Sequence, residues 1–170
     1  MTLKTLLAKV GACAALATVA ATAHAELYNF KLTGDYNASW QLDSDALPNG
    51  WSDGIGFVLW DIAGNFPGAV SGVTDLTFYH SSIGGGMAIE DFAGDAVLLL
   101  ADGPQLYTGA ESAPSFRLGA FELTEYQGPG RYTLTVSAVP EPASIALMLA
   151  GLGVLGAAAG RGRQAVRPEA

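Results

Sequence analysis

The chain holds one cysteine, Cys13, and two histidines, His24 and His80. Cys13 and His24 both fall in the first twenty-five residues, so residues 26–139 have no thiol and a single imidazole. That excludes disulfides and thiol chemistry there, and with them the nitrogen and sulfur shell that zinc takes. A Ser-His-Asp arrangement would have to use His80, with Ser81 and Ser82 beside it. Neighbours on a strand face opposite ways, so adjacency alone makes no dyad. Basic residues are just as scarce: Lys31, Arg117 and Arg131 stand against fifteen acidic residues in residues 26–142, a formal charge near −12, compared with −8 for the whole chain. Such a stretch repels phosphates and anionic membrane surfaces, so nucleic acid is not an expected partner. No fixed-period repeat is present, which excludes solenoids and propellers. No window of residues 26–139 carries a helical period.

What the chain does have is an apolar run near each end. Lys4 and Lys9 precede the run at residues 10–21, and Ala23-His24-Ala25 gives the small-x-small pattern that signal peptidase cleaves before Glu26. Val10-Gly11-Ala12-Cys13 is a weak match to a lipoprotein box, with Lys9 interrupting the apolar run such a box needs. At the other end, residues 143–160 carry no charge and are followed by Arg161, Arg163 and Arg167. Eighteen helical residues extend roughly 27 Å, enough for a bilayer core. Arginines directly after the run place the C-terminus in the cytoplasm by the positive-inside rule, with Arg161 and Arg163 fixing orientation. Before it, Pro140 and Pro142 bracket Glu141, remove two amide donors and hold the chain extended. On physics alone these residues would also serve as a plain membrane anchor behind a proline-containing linker.

Val139-Pro140-Glu141-Pro142-Ala143-Ser144, then an apolar helix, then an arginine-bearing tail, resembles the PEP-CTERM sorting signal of Gram-negative bacteria. The resemblance implies that a membrane-embedded enzyme, exosortase, reads Pro140-Glu141-Pro142 and removes the helix, delivering the remainder to the cell surface or extracellular matrix. It also implies association with exopolysaccharide and biofilm, and says nothing of the passenger's chemistry. The expected organisation is a signal peptide at 1–25, a passenger domain at 26–138, the sorting signal at 139–163 and a cytoplasmic tail end at 164–170.

Within the passenger, alternation of period two recurs. Tyr28, Phe30 and Leu32 share one face; so do Tyr36, Ala38, Trp40 and Leu42, with Gly34-Asp35 between the two runs as a two-residue hairpin signal. Further strands are expected at 55–61, 76–79, 87–89, 96–101, 116–123 and 131–136, with Gly84-Gly85-Gly86 as a turn and residues 111–115 as a linker-like loop. About eight short strands joined by Gly, Pro and Asp turns predict an all-β fold, an antiparallel β-sandwich of jelly-roll type, flanked by a signal helix and a single C-terminal transmembrane helix.

Candidate sites are few. Trp40 and Trp60 lie in strand patterns and are expected in the core. Trp51 lies in a polar turn segment and fits equally a loop anchor or an exposed platform on which a sugar ring could stack. Oxygen ligands suited to calcium are available at Asp43, Asp45 and Asp53, and separately at Glu90, Asp91 and Asp95. Asp43-Ser44-Asp45 starts like an EF-hand loop and departs from it at Leu47 and at Asp53. The expectation is an exported, non-enzymatic surface or matrix protein, with no required cofactor and calcium as an option. Its partners would be signal peptidase and exosortase during maturation, with transient membrane anchoring, and then extracellular polysaccharide. A small carbohydrate-binding module is the alternative, and a small hydrolase stands behind both.

Overall fold

The computed structural model describes residues 26–139 and Gly151. The expected signal helix, the Pro140-Glu141-Pro142 motif, the apolar run at 143–160 and Arg161 and Arg163 lie outside the described residues, as do Ala23 and Ala25. Among the described residues, no helix is long and apolar enough to cross a membrane.

Eleven strands follow one another: β1 (Leu27–Gly34), β2 (Ala38–Asp43), β3 (Gly50–Ser52), β4 (Gly56–Asn65), β5 (Val73–Tyr79), β6 (Met87–Asp91), β7 (Ala96–Asp102), β8 (Tyr107–Ala110), β9 (Ala113–Phe116), β10 (Gly119–Glu125) and β11 (Arg131–Ala138). One turn of 3-10 helix, Ser81–Ile83, lies between β5 and β6. The main sheet runs β2-β1-β11-β10-β7-β6-β5-β4-β3, and β2 also pairs with β4. That last pairing closes eight strands into an antiparallel barrel in which the first and last strands, β1 and β11, pair and the other spatial neighbours are sequence neighbours apart from two excursions. One is β3, which lies along the first residues of β4; the other is the separate β8–β9 hairpin.

The all-β antiparallel class is as expected, but a jelly-roll sandwich of two separate sheets is not what forms. Two short seams explain the difference. β2 meets β4 only at Ser39↔Asn65 and Trp40↔Gly64, and β7 meets β10 only at Asp102↔Thr124 and Ala101↔Glu125. The barrel is thus two four-stranded sheets joined along both edges, which leaves no long unpaired edge. Inward and outward residues alternate identically in a sandwich and in a closed barrel, so the pattern could not separate them. Gly64 makes one closure: a Cβ there would sit 2.7 Å from the Ser39 carbonyl oxygen and 2.6 Å from the Phe66 ring.

The inward positions fill the barrel with side chains rather than with a ligand cavity. Phe30 stacks on Trp40 at 5.4 Å, and Phe57 stacks on Phe78 at 5.1 Å. Phe116 meets both Phe30 and Phe78 edge-on at 5.0 Å, and Tyr107 meets Phe57 at 4.9 Å. Phe116 and Tyr107 belong to the β8–β9 hairpin, which therefore packs its aromatic side chains into the core. This corrects two expectations. The linker-like stretch at 111–115 is the hairpin's turn and most of β9, where Pro114 is tolerated because no further strand pairs with that edge. The single strand expected at 116–123 is divided between β9 and β10 by Arg117 and Leu118.

The β1–β2 connection is also wider than a two-residue hairpin, since the first paired residues are Leu32 and Ala38. Gly34, with φ 134°, lies so close to β11 that a Cβ would meet the Arg131 carbonyl oxygen. Asp35 both donates its amide to that oxygen and accepts the Arg131 amide. Tyr36 is left in the loop, its hydroxyl donating to the Pro67 carbonyl. Chain entry and exit adjoin, because the Val139 amide donates to the Leu27 carbonyl at 2.8 Å.

Candidate functional site

Trp51 lies on β3, paired with Phe57, and is 56% exposed. Its partner Phe57 faces inward, so the Trp51 side chain leaves β3 on that face, at the rim of a trough of about 330 Å³ whose outward floor includes Val58, Thr77 and Tyr79. The trough exists because Gly50 and Gly56 line it without side chains, in the registers Gly50↔Val58↔Thr77 and Ser52↔Gly56↔Tyr79. No lining residue is charged, and Ser52, Thr77 and Tyr79 supply hydroxyls. Burial, and secondarily the Glu90 carboxylate, raises the Tyr79 pKa above the ordinary phenol value, so this hydroxyl is a neutral donor. Trp51 is thus half exposed rather than folded back into the core.

Trp60 is 52% exposed and not in the core, whereas Trp40 is 4% exposed and is in it. Alternation explains Trp60: Phe57 and Leu59 point inward, so Val58 and Trp60 take the opposite face, and a β-bulge follows directly. Between Leu59↔Leu76 and Ile62↔Thr74, β4 advances three residues while β5 advances two. Asp61 takes the left-handed conformation at φ 56°, and the two freed amides find side-chain acceptors: Trp60 donates to Asn49 Oδ1 at 2.8 Å and Asp61 to Asp75 Oδ1 at 3.0 Å.

A second, larger groove of about 650 Å³ lies on the outside of β11, β1 and β2 and reaches β4 at Ala63 and Gly64, with Asn29, Lys31, Ser39, Gln41, Thr135 and Ser137 among its lining residues. Its two amides bond to each other, Gln41 Nε2 donating to Asn29 Oδ1 at 2.6 Å. This is the ordinary solvated face of a sheet.

The closest arrangement to a catalytic one is at the β5–β6 turn. His80 Nδ1 lies 2.8 Å from Ser82 Oγ, its Nε2 lies 3.9 Å from Glu111 Oε1, and Glu111 accepts the Tyr107 hydroxyl at 3.2 Å. It is Ser82 rather than the adjacent Ser81 that meets His80. Glu111, 7% exposed in the β8–β9 turn, was invisible as a partner in the sequence. Nδ1 also accepts the Ser82 amide at 3.0 Å, so its role is to cap the 3-10 turn. Ser82 Oγ reaches the Gly54 carbonyl at 2.6 Å. Every amide of residues 81–85 is engaged, by Gln105 Oε1, His80 or Ser81. An acyl-transfer site needs free donors for an oxyanion, and this turn offers none. The cluster ties three connections together at one end of the barrel. Burial first, then the charge and hydrogen bond of Glu111, drives the Tyr107 pKa far above the phenol range.

Asp43, Asp45 and Asp53 are exposed and are not assembled into a site. Asp43 ends β2 with Asp45 in the turn after it, where the Ala46 amide donates to the Asp43 carbonyl; Asp53 is in the β3–β4 turn. Among the described residues, no three His, Cys, Asp or Glu side chains are close enough to form a ready metal cage.

These features define a closed β-barrel with an exposed tryptophan at the rim of an uncharged trough, running from β11 into a C-terminal segment that starts at Val139. The chain carries a PEP-CTERM protein-sorting motif, matched over residues 138–164, one residue beyond the expected segment at each end. The motif implies processing by exosortase, export and a membrane-anchored precursor sorted to the cell surface. No curated protein and no solved structure matches the chain.

Proposed function

We propose that residues 26–138 form a non-enzymatic surface or matrix protein of a Gram-negative bacterium that holds neutral exopolysaccharide in the Trp51 trough. Residues 1–25 act as a signal peptide removed by signal peptidase, and residues 143–160 as a temporary transmembrane anchor that exosortase removes at Pro140-Glu141-Pro142. The observation that carries the binding assignment is a tryptophan 56% exposed beside an uncharged, hydroxyl-bearing trough. An exposed indole face covers the apolar face of a pyranose. Charge narrows the ligand: with fifteen acidic residues against three basic ones over residues 26–142, uronic-acid and sulfated polymers are repelled. The occupied amides at the His80 turn support the non-enzymatic reading.

A glycan array probed with the full chain in detergent tests the proposal. Neutral hexose polymers should be retained and polyuronates should not. Retention of polyuronates alone, or of no glycan, would overturn it.

A further inference from the structure

β7 meets β10 only at Asp102↔Thr124 and Ala101↔Glu125, with one further bond from the Tyr126 amide to the Leu100 carbonyl. Past that bond the strands part, and a pocket of about 540 Å³ opens between the start of β7, the β10–β11 turn and the β1–β2 connection. It sits at the barrel mouth away from His80, above the filled core. Mouths of β-barrels are common ligand sites, and about 300–1,000 Å³ is their usual size. Leu98 and the rings of Tyr36 and Tyr132 pack on the core and line the pocket. Its polar groups are held in place but only half used. Asp35 Oδ2 accepts the Arg131 amide at 2.9 Å and Glu125 Oε2 accepts the Gly130 amide at 3.0 Å, which leaves Oδ1 and Oε1 free. The Tyr132 side chain is 7% exposed, and its hydroxyl has no hydrogen-bond partner among the described residues. Burial first, then the charges of Glu125 and Asp35, raises its pKa above the phenol value, so it is a neutral donor. Gly130 keeps the space beside it open, since a Cβ there would lie 2.6 Å from the Tyr132 hydroxyl and 2.9 Å from Glu125 Oε2. A buried hydroxyl facing a pocket without a partner is costly unless a ligand satisfies it.

We propose that this mouth binds a single neutral sugar residue, with Asp35 and Glu125 accepting its hydroxyl protons, Tyr132 donating to one of its oxygens and the Tyr36 ring against its apolar face. The Tyr36 hydroxyl is committed to the Pro67 carbonyl, which fixes that ring. A pyranose offers what the pocket asks for: hydroxyls that both donate and accept on its edge, and C–H groups on its face. An ammonium group would leave the Tyr132 proton without an acceptor. Uronates and phosphates are repelled by the two carboxylates. Trp51 lies beside the first residues of β4, at the other end of the strands, so this site is separate from the Trp51 trough and does not depend on it.

The test is saturation-transfer NMR, which detects weak binding of single sugars, on the full chain in a zwitterionic detergent. The chain carries Trp51→Ala, so that the trough contributes nothing. Methyl glucoside, methyl galactoside and methyl mannoside are the probes, with methyl glucuronide and methyl galacturonide as charged counterparts. Saturation should reach at least one neutral glycoside and neither uronide. Adding Tyr132→Phe, which removes only the hydroxyl, should weaken that binding about tenfold or more. Asp35→Asn with Glu125→Gln, which keeps an acceptor for both turn amides, should do the same, and it decides the matter if Tyr132→Phe does not fold. Equal saturation of the uronides, or full binding kept by a folded mouth variant, would overturn the proposal. So would no saturation of any neutral glycoside in the Trp51→Ala chain; if the native chain then binds, the sugar sits in the Trp51 trough and that reading stands alone.

Discussion

Adding one methyl group at Gly64 tests whether the sheet is closed. The new Cβ would lie 2.7 Å from the Ser39 carbonyl oxygen and 2.6 Å from the Phe66 ring, both inside van der Waals contact. Phe66 cannot swing away freely, because it is 4% exposed and stacked on Trp40 at 5.7 Å. The alternative is for β2 to leave β4, and those strands share only the Ser39↔Asn65 and Trp40↔Gly64 positions. Overpacking a core costs about 1–3 kcal/mol, and each lost ladder bond about 1 kcal/mol. Gly64→Ala should therefore cost roughly 3 kcal/mol, on the order of 12 °C in Tm for a domain of this size. Gly54→Ala is the control. Its φ is 70° but nothing lies within 4 Å of the added atom, so it pays only the left-handed penalty of about 1 kcal/mol. Circular-dichroism melts of both variants are the assay. Equal melting temperatures would refute the closure, since an open β2 edge would leave Gly64 free to accept a side chain.

Trp40→Ala should destabilise by about 3–5 kcal/mol as a core truncation, while Trp60→Ala should cost less than about 1 kcal/mol; reversed order in urea melts would contradict these two placements. Tyr36, Tyr79, Tyr107 and Tyr132 all have pKa values raised above 10.0, with burial as the largest cause. The folded chain keeps protons that the unfolded chain releases, so the stability they contribute is complete below about pH 10 and falls as pH rises above it. Tyr107 alone contributes a slope of about 1.4 kcal/mol per pH unit there, and Tyr107→Phe should flatten the Tm decline between pH 10 and 11.5; an unchanged slope would count against its burial. Replacing Pro140, Glu141 and Pro142 by alanine should leave the C-terminal segment attached, giving a larger, membrane-retained product on immunoblots than the native chain. A product of unchanged size would sink the sorting assignment.

Period-two alternation placed most strands of the barrel, because the inward residues Phe30, Leu32, Trp40, Leu134 and Val136 are apolar whatever closes the sheet. Closure itself was not legible: it rests on two-residue seams and on the space left by Gly64, a long-range fact with no local pattern. Trp60 was misplaced because residues 55–61 read as a strand buried on both faces, whereas only the face of Phe57 and Leu59 is covered. Short β3, β8 and β9 were missed because three or four residues cannot display a period. Trp51 was legible as unusual from its polar neighbours, although only the placement of β3 at the end of the sheet showed that its side chain stays half exposed. Asp91 looked like any turn aspartate, and its burial depends on the β4–β5 loop folding over it. The sorting segment was readable in full, since its recognition depends on local order and composition rather than on a fold.

The most direct test of the account is the affinity of Trp51→Ala for the best neutral glycan from the array, measured by titration calorimetry beside its melting temperature. The side chain is half exposed on a three-residue strand, so its loss should cost the fold on the order of 1 kcal/mol, whereas losing a stacking platform should weaken binding about tenfold or more. A folded Trp51→Ala protein with tenfold or weaker affinity is the predicted result. Native affinity in that variant would contradict the assignment of the trough as the glycan site.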